Sequence, residues 1–170
     1  NNSTILVNKY FYLDKDYIPD NLELINEKYS SKKLYLVKEA KEAFEALALD
    51  ASLENLTIKA MSTYRSYSYQ SNLYNSYVAT DGEEKANTYS AKPGHSEHQT
   101  GLALDIFNET SPYTDFENTK EFTWMQKNAH KYGFILRYPK AKETITGYAY
   151  ESWHYRYVGP EIAEYIFQHN

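Results

Sequence analysis

The stretch SEHQTGLALD, residues 96–105, decides how this sequence is interpreted. Its second half continues into LALDIF (residues 102–107), which has the composition of a short buried strand but carries Asp105 in its middle. A carboxylate inside an apolar strand costs free energy unless it is paired or binds a cation. His98 lies seven residues upstream, across a turn at Gly101. Asp105 and His98 together therefore predict a metal site.

The stretch ESWH, residues 151–154, supplies the remaining groups of that site. Two histidines and one aspartate would leave a fourth zinc position open for water, and zinc lowers the pKa of such a water to about 7. Glu151, three residues before His154, could then take the proton from the water as a general base. Non-haem Fe(II) uses a similar ligand set, but it leaves Glu151 without a function, so zinc is preferred.

Each motif taken alone has a simpler explanation. Asp105 could cap a local turn, and His154 could form a hydrogen bond inside the core. The two motifs together also predict a local geometry, because side chains alternate along a strand. Ala103 would share a face with Asp105 and leave room for an ion, whereas Glu151 and His154 would point to opposite faces. We therefore expect a turn or bulge near Glu151.

The composition indicates one globular domain over residues 1–170, of which residues 1–30 form an extended arm. The net charge of −5 without a basic run argues against nucleic-acid binding, and the absence of cysteine excludes disulfides and thiolate metal sites. No stretch approaches the ~20 apolar residues of a membrane span. The 19 tyrosines against 7 phenylalanines suggest rings that border a groove, and biased codon usage is an equally good explanation of the excess.

Helices and strands interleave irregularly along the chain, which predicts an α+β fold with a small antiparallel sheet flanked by helices. A loop is predicted over residues 80–99. The helical segments are residues 32–51, 64–78, 116–133 (ended by Gly133) and 160–170, and the strands lie within residues 56–64, 102–107, 134–138 and 152–158.

The paired motifs SxHxxGxAxD and ExxH resemble those of the VanY-type D-alanyl-D-alanine carboxypeptidases. That family is related to L,D-carboxypeptidases, VanX dipeptidases, lysostaphin-type peptidases and hedgehog domains, which hold zinc in a cleft. The resemblance runs from about Leu6 to the C-terminus. It includes YRSYSYQ (residues 64–70), KPG (92–94), YGFILRYP (132–139) and WHYRYVG (153–159).

The resemblance implies a role for individual residues. The zinc ligands would be His98, Asp105 and His154, and the catalytic base would be Glu151. Arg65 would reach the active site, where a guanidinium can bind a terminal carboxylate or stabilise an oxyanion. Gln70 and Ser96 would contact the substrate peptide. His95 forms an HxxH pair with His98, and we expect it to line the cleft because Asp105 already completes the ligand set.

The implied activity is release of C-terminal D-alanine from peptidoglycan stem peptides by a zinc carboxypeptidase with D,D or dual D,D and L,D specificity. Three alternatives stay open: an L,D-carboxypeptidase acting on tetrapeptide stems, a dipeptidase or endopeptidase with the same zinc core, and a non-catalytic zinc domain that binds the cell wall. A general base at Glu151 favours an enzyme. We expect a monomer at the bacterial cell surface, with a signal or anchor outside this chain.

Overall fold

The computed structural model describes residues 2–169, and its central element is a four-stranded antiparallel sheet. The strands of the chain are β1 (Leu22–Leu24), β2 (Tyr35–Val37), β3 (Lys59–Ser62), β4 (Ala103–Phe107), β5 (Phe134–Leu136) and β6 (His154–Tyr157). The central sheet has the order β3-β4-β6-β5, and β1 and β2 form a separate antiparallel pair. The α+β fold with small antiparallel sheets is thus confirmed.

Helices flank the sheets. They are α1 (Lys38–Leu53), α2 (Tyr67–Asp81), α3 (Glu83–Tyr89), α4 (Lys120–Asn128), α5 (Glu143–Thr146) and α6 (Pro160–His169), with 3₁₀ turns at Glu27–Tyr29, Glu97–Thr100, Tyr113–Asn118 and Ala129–Tyr132. Among residues 2–169, no helix combines the length and apolar character that crossing a bilayer requires.

The alternation of β4 separates the hydrophobic core from a polar cleft. Leu104 and Ile106 belong to a core cluster that also contains Phe44 of α1 and Met125 of α4. Asp105 points to the opposite face, where it lines the cleft. One short strand therefore supplies both apolar packing and a buried carboxylate.

The helix predicted over residues 64–78 is displaced to Tyr67–Asp81, and three further segments differ from the sequence prediction. The helix predicted from residue 32 begins at Lys38, because residues 35–37 pair with β1 instead. The predicted loop over residues 80–99 contains α3, which follows α2 after a break at Gly82 (φ 84°), and the start of a 3₁₀ turn. The helix predicted over residues 116–133 is divided into 3₁₀ and α segments, although it does end at Gly133 in the left-handed conformation.

Candidate metal centre and active site

Three ionisable side chains converge at the middle of the central sheet. Asp105 on β4 lies directly opposite His154 on β6 in the strand register. His98 comes from the 3₁₀ turn that precedes β4. This turn ends at Gly101, which is in the left-handed conformation (φ 70°). One potential ligand atom from each of His98, Asp105 and His154 lies within 4.8 Å of the others, and all three residues are buried.

Hydrogen bonds on the far side of each imidazole determine which nitrogen faces Asp105. His98 Nδ1 lies 2.7 Å from the Thr63 carbonyl oxygen, so its Nε2 is directed towards Asp105 Oδ2, at 3.4 Å. His154 Nε2 lies 2.7 Å from Glu97 Oε1, and its Nδ1 lies 2.8 Å from Asp105 Oδ1. Metal-binding histidines usually donate their second N–H to a carbonyl or carboxylate in this way.

The donor set fits a zinc ion. Two imidazoles and one carboxylate are the ligands of an open, three-residue zinc site, and the nitrogens that face inward are the two not used in outer hydrogen bonds. Burial disfavours the charge on Asp105, but the charge of His98 and the hydrogen bonds from His154 and His98 hold its pKa well below the ordinary value. An ionised aspartate between two imidazoles is a suitable environment for a divalent cation.

His154 is held between two carboxylates. Burial alone would lower the pKa of His154, but the hydrogen bonds to Asp105 and Glu97 raise it to about 10. For His98, burial and then the charge of Arg65 lower the pKa. The two imidazoles therefore lie in opposite electrostatic surroundings on either side of Asp105.

Glu151 lies beside the three-residue cluster without belonging to it. The predicted turn is found at Ser152 and Trp153, immediately before β6, and it places Glu151 Oε2 3.9 Å from His154 Nδ1. The backbone N–H of Glu151 donates to the Tyr138 carbonyl at 3.0 Å, which fixes the turn. Burial raises the pKa of the Glu151 carboxyl to about 7, against the lowering effect of the charge on His154. A carboxyl with such a pKa can accept and return a proton near neutral pH.

Arg65 presents its guanidinium to three side chains around the cleft. Nε donates to Ser62 Oγ at 3.0 Å, Nη1 to Gln70 Oε1 at 3.3 Å and Nη2 to Asp105 Oδ2 at 3.4 Å. Gln70 is itself anchored, because its Nε2 donates to the Ala91 carbonyl at 2.8 Å. Arg65 and Gln70 therefore form a connected polar wall next to the cluster.

These groups surround one cleft of about 380 Å³. Its lining includes all seven residues selected from the sequence, Arg65, Gln70, Ser96, His98, Asp105, Glu151 and His154. Aromatic side chains form much of the remaining wall: Tyr77, Tyr89, Tyr113, Tyr138, Tyr148 and Trp153. Such a cleft has room for a short peptide and presents both apolar surface and hydrogen-bonding groups to it.

His95 does not join the cluster. Its Nδ1 lies 2.9 Å from the Asn8 carbonyl oxygen, and its ring is near that of Tyr12, with 5.3 Å between centroids. It lines a neighbouring cavity with Lys9 and Lys92. The expectation that His95 lines the active-site cleft is therefore wrong, since its ring turns towards the N-terminal arm.

Residues 33–160 match the family model for VanY, the D-alanyl-D-alanine carboxypeptidases. The chain belongs to the VanY family. The resemblance of the sequence motifs to those of the VanY family is thereby confirmed, and the match covers about three quarters of the chain.

Two other carboxypeptidases are similar over nearly all of the chain. The protein YodJ of Bacillus subtilis (strain 168) is 42% identical over 172 residues, which cover 97% of this chain and 63% of YodJ. The chain thus spans less than two thirds of the length of that relative. The solved structure of the LdcB LD-carboxypeptidase is 41% identical with a TM-score of 0.92, and covers 99% of this chain and 82% of its own.

Two solved VanY structures carry ligands. A vancomycin-resistance D,D-pentapeptidase VanY variant was solved with Zn(II), and VanYB was solved with D-alanine-D-alanine. Each is 31% identical to this chain with a TM-score of 0.84; they cover 99% and 98% of this chain and 94% and 92% of their own. A VanY structure of the same fold thus holds zinc, and this chain has a buried group, His98, Asp105 and His154, that could hold a metal ion.

Glu97 is the residue of this VanY-family site that the sequence analysis did not identify. Burial opposes its ionisation, but the hydrogen bond from His154 and the charges of His154, Arg156 and Arg137 lower its pKa to about 2. The residue stands inside the SxH motif, where an exposed glutamate would be equally compatible with the pattern. The one signal in the sequence was that His154 and Arg156, two residues apart on β6, share a face of the strand and so favour a carboxylate opposite them.

Proposed function

We propose that this chain is a zinc carboxypeptidase that releases C-terminal D-alanine from peptidoglycan stem peptides. The observation that carries the proposal is Glu151, a half-buried carboxyl beside an open His98–Asp105–His154 donor set in a VanY-family fold. A domain that only bound zinc and peptide would have no use for such a group, so a non-catalytic cell-wall-binding domain is less well supported. We further propose that residues 1–170 form one catalytic domain.

The proposed chemistry assigns one task to each residue. When bound by His98, Asp105 and His154, zinc would polarise the scissile carbonyl and make a water acidic. Glu151 would accept the proton of the attacking water and then donate it to the amine of the departing D-alanine. Its raised pKa, about 7, suits both transfers.

Arg65 would bind the negative end of the substrate. Its Nη1 and Nη2 donate to Gln70 and Asp105, at 3.3 and 3.4 Å, distances that leave room for stronger donation to a charged ligand. A carboxylate at the peptide C-terminus or the oxyanion formed during attack would be a suitable acceptor. We assign Gln70 and Ser96 to substrate contact, because both are buried and line the same cleft.

The bond that is cut is either D-Ala-D-Ala on pentapeptide stems or the L,D bond of tetrapeptide stems. We propose D,D or dual specificity, supported by the VanY match. L,D specificity is the second candidate, which the high similarity to the LdcB LD-carboxypeptidase favours. Because the peptidoglycan substrate lies outside the cytoplasmic membrane, we propose action at the bacterial cell surface, by a monomer.

The test is D-alanine release from purified muropeptides, with tetrapeptide and pentapeptide stems assayed side by side, with zinc and with a chelator. We expect chelator-sensitive release from the pentapeptide, with or without release from the tetrapeptide. Release from the tetrapeptide alone would establish L,D specificity and overturn our assignment of the bond. No release from either substrate, by protein that carries zinc, would exclude a carboxypeptidase.

A further inference from the structure

Glu97 is the centre of a buried ionic cluster behind His154. The residue is 1% exposed, and both of its carboxylate oxygens are used. Oε1 accepts from His154 Nε2 at 2.7 Å. Oε2 accepts from Arg137 Nε at 3.1 Å and from Arg156 Nη1 at 3.3 Å. With two guanidinium groups on one oxygen, the carboxylate is fixed in position and its desolvation is offset by charge-assisted hydrogen bonds.

The strand pattern explains why these groups meet. Residues two apart on a strand share a face, so His154 and Arg156 on β6 point to the same side. Glu97 lies in the 3₁₀ turn on that side, next to His98, and Arg137 follows the end of β5. The turn that supplies one ligand therefore also supplies the carboxylate that holds another.

Arg156 extends the cluster to the N-terminal arm. It is 3% exposed, and its Nη2 donates to the carbonyl oxygens of Ser3 at 2.9 Å and Ile5 at 2.8 Å. Its Nε donates to the Tyr157 carbonyl at 3.0 Å. Backbone carbonyls of the arm thus occupy donors that would otherwise need water, and they fix the side of the guanidinium that is turned away from Glu97.

We propose that Glu97 is a positioning residue for the metal centre, and that Arg137, Arg156 and the arm carbonyls of Ser3 and Ile5 hold it in place. Glu97 keeps the His154 ring in the orientation that directs Nδ1 to the ion. Docking of the arm and binding of the metal are then coupled through Arg156. The inference goes beyond the proposed function and rests on it only in taking zinc as the metal.

The first test measures zinc affinity by competition with a chromophoric chelator in Glu97→Ala and Glu97→Gln. Loss of the outer partner of a metal-bound histidine typically weakens metal affinity about 10- to 100-fold, and we expect Glu97→Ala to fall in that range. Glu97→Gln retains an acceptor for His154 but loses its charge, so its affinity should lie between those of wild type and Glu97→Ala. The visible spectrum of bound Co(II), which reports ligand geometry, should change in Glu97→Ala.

Glu121→Gln is the matched control. Glu121 is also buried, at 8% exposure, and accepts a hydrogen bond from Asn108, but it lies on α4 and does not line the cleft. Its zinc affinity and Co(II) spectrum should equal those of wild type. If folded Glu97→Gln and Glu97→Ala, verified by circular dichroism, bind zinc as wild type does, Glu97 has no positioning role.

The coupling to the arm is measured separately, by hydrogen exchange in wild type and in Arg156→Lys. Because coupling between two equilibria is reciprocal, zinc should slow hydrogen exchange of the backbone amides near residues 3–8, and Arg156→Lys should abolish that effect. Equal exchange with and without zinc would overturn the arm's part. D-alanine release by wild type is measured on the same preparation. If wild type releases D-alanine in a zinc-dependent way but the Glu97 variants bind zinc as tightly as wild type, only the positioning role is overturned. If wild type binds zinc but releases no D-alanine, only the proposed function is overturned.

Discussion

Arg65 combines a fixed orientation with a charge that is only loosely paired, and this combination makes it the substrate anchor in our account. Its three donor nitrogens contact Ser62, Gln70 and Asp105. The ion pair with Asp105 is long, 3.4 Å, and if Asp105 also binds a cation, Arg65 is not needed to neutralise it. A substrate carboxylate could therefore take over the guanidinium without breaking a short ion pair.

We predict that Arg65→Lys keeps zinc binding but lowers kcat/KM for D-alanine release. A lysine retains the positive charge but cannot present a two-pronged donor. Loss of one charged hydrogen bond, about 1.5–3 kcal/mol, corresponds to a decrease of roughly ten- to 150-fold. Steady-state kinetics and a zinc titration on the same preparation measure both effects. Unchanged kcat/KM would show that Arg65 does not bind the substrate.

The sequence singled out the three residues that cluster in the candidate metal centre, whereas it did not single out their outer partner Glu97. Asp105 stood out because a carboxylate in an apolar strand needs a partner, and His98 and His154 occupy a recognisable spacing around it. Glu97 could not be assigned, because its role depends on contacts with residues 40 and 59 positions away in the chain. Local sequence contains no information about which buried guanidinium meets which carboxylate.

At the scale of elements, the turn from the 3₁₀ segment into β4 positions His98 relative to Asp105. Gly101, at the end of the 3₁₀ segment, adopts a left-handed conformation (φ 70°, ψ 14°). A Cβ atom there would lie 2.9 Å from Val37 Cγ2, 3.0 Å from Leu22 Cδ2 and 3.2 Å from Pro19 Cγ. The β1–β2 pair and the preceding loop thus pack directly against the turn that carries His98.

We predict that Gly101→Ala destabilises the fold by about 2–5 kcal/mol, the sum of a left-handed backbone cost of ~1–2 kcal/mol and an overpacking cost of ~1–3 kcal/mol. Gly147→Ala is the control, since Gly147 has a similar backbone (φ 83°, ψ 0°) but its nearest neighbour is the flexible Lys9 side chain. Urea unfolding of both variants separates the two costs. Equal losses of stability would show that packing around Gly101 contributes nothing.

Element boundaries were the part of the fold that the sequence left undetermined. Residues 34–37 continue the helical spacing of α1, so periodicity alone extended the predicted helix over them. In the structure, residues 35–37 form β2, because the partner strand β1 lies next to them and their backbone groups pair there. The competition between helix and strand was decided by a tertiary contact, which no local pattern reports.

At the scale of the whole molecule, the tyrosines contribute to the core as well as to the cleft. Tyr148, Tyr155 and Tyr157 are 5%, 2% and 3% exposed. Burial raises the pKa of Tyr148 to about 12 and that of Tyr155 well above its ordinary value. Burial and a hydrogen bond to Glu39 raise the pKa of Tyr157 to about 12. The fold therefore requires these phenols to be neutral.

We predict that stability falls as the pH rises from about 10 towards 12. A phenol whose pKa is higher in the folded than in the unfolded state stabilises the fold fully at pH values below the unfolded pKa. As the pH rises from the unfolded towards the folded pKa, each such group loses about 1.4 kcal/mol of stabilisation per pH unit. Urea unfolding over this range, with tyrosinate absorbance, measures the loss. Tyr157→Phe should lessen the dependence on pH, whereas the control Tyr10→Phe, at an 86% exposed site, should not. A flat stability across the range would contradict this account.

The central claim is that a zinc-loaded cleft uses Glu151 to hydrolyse a peptide, and Glu151→Gln tests it most directly. Zinc content, zinc affinity and D-alanine release from muropeptides should be measured on one preparation each of wild type, Glu151→Gln and the control Glu143→Gln, which changes an exposed glutamate on α5. We predict that Glu151→Gln binds zinc with an affinity within a few-fold of wild type. Its rate of D-alanine release should fall by about 10²- to 10⁴-fold, which is the usual contribution of a general base. Glu143→Gln should equal wild type in both measurements. Full release by zinc-loaded Glu151→Gln would contradict the account.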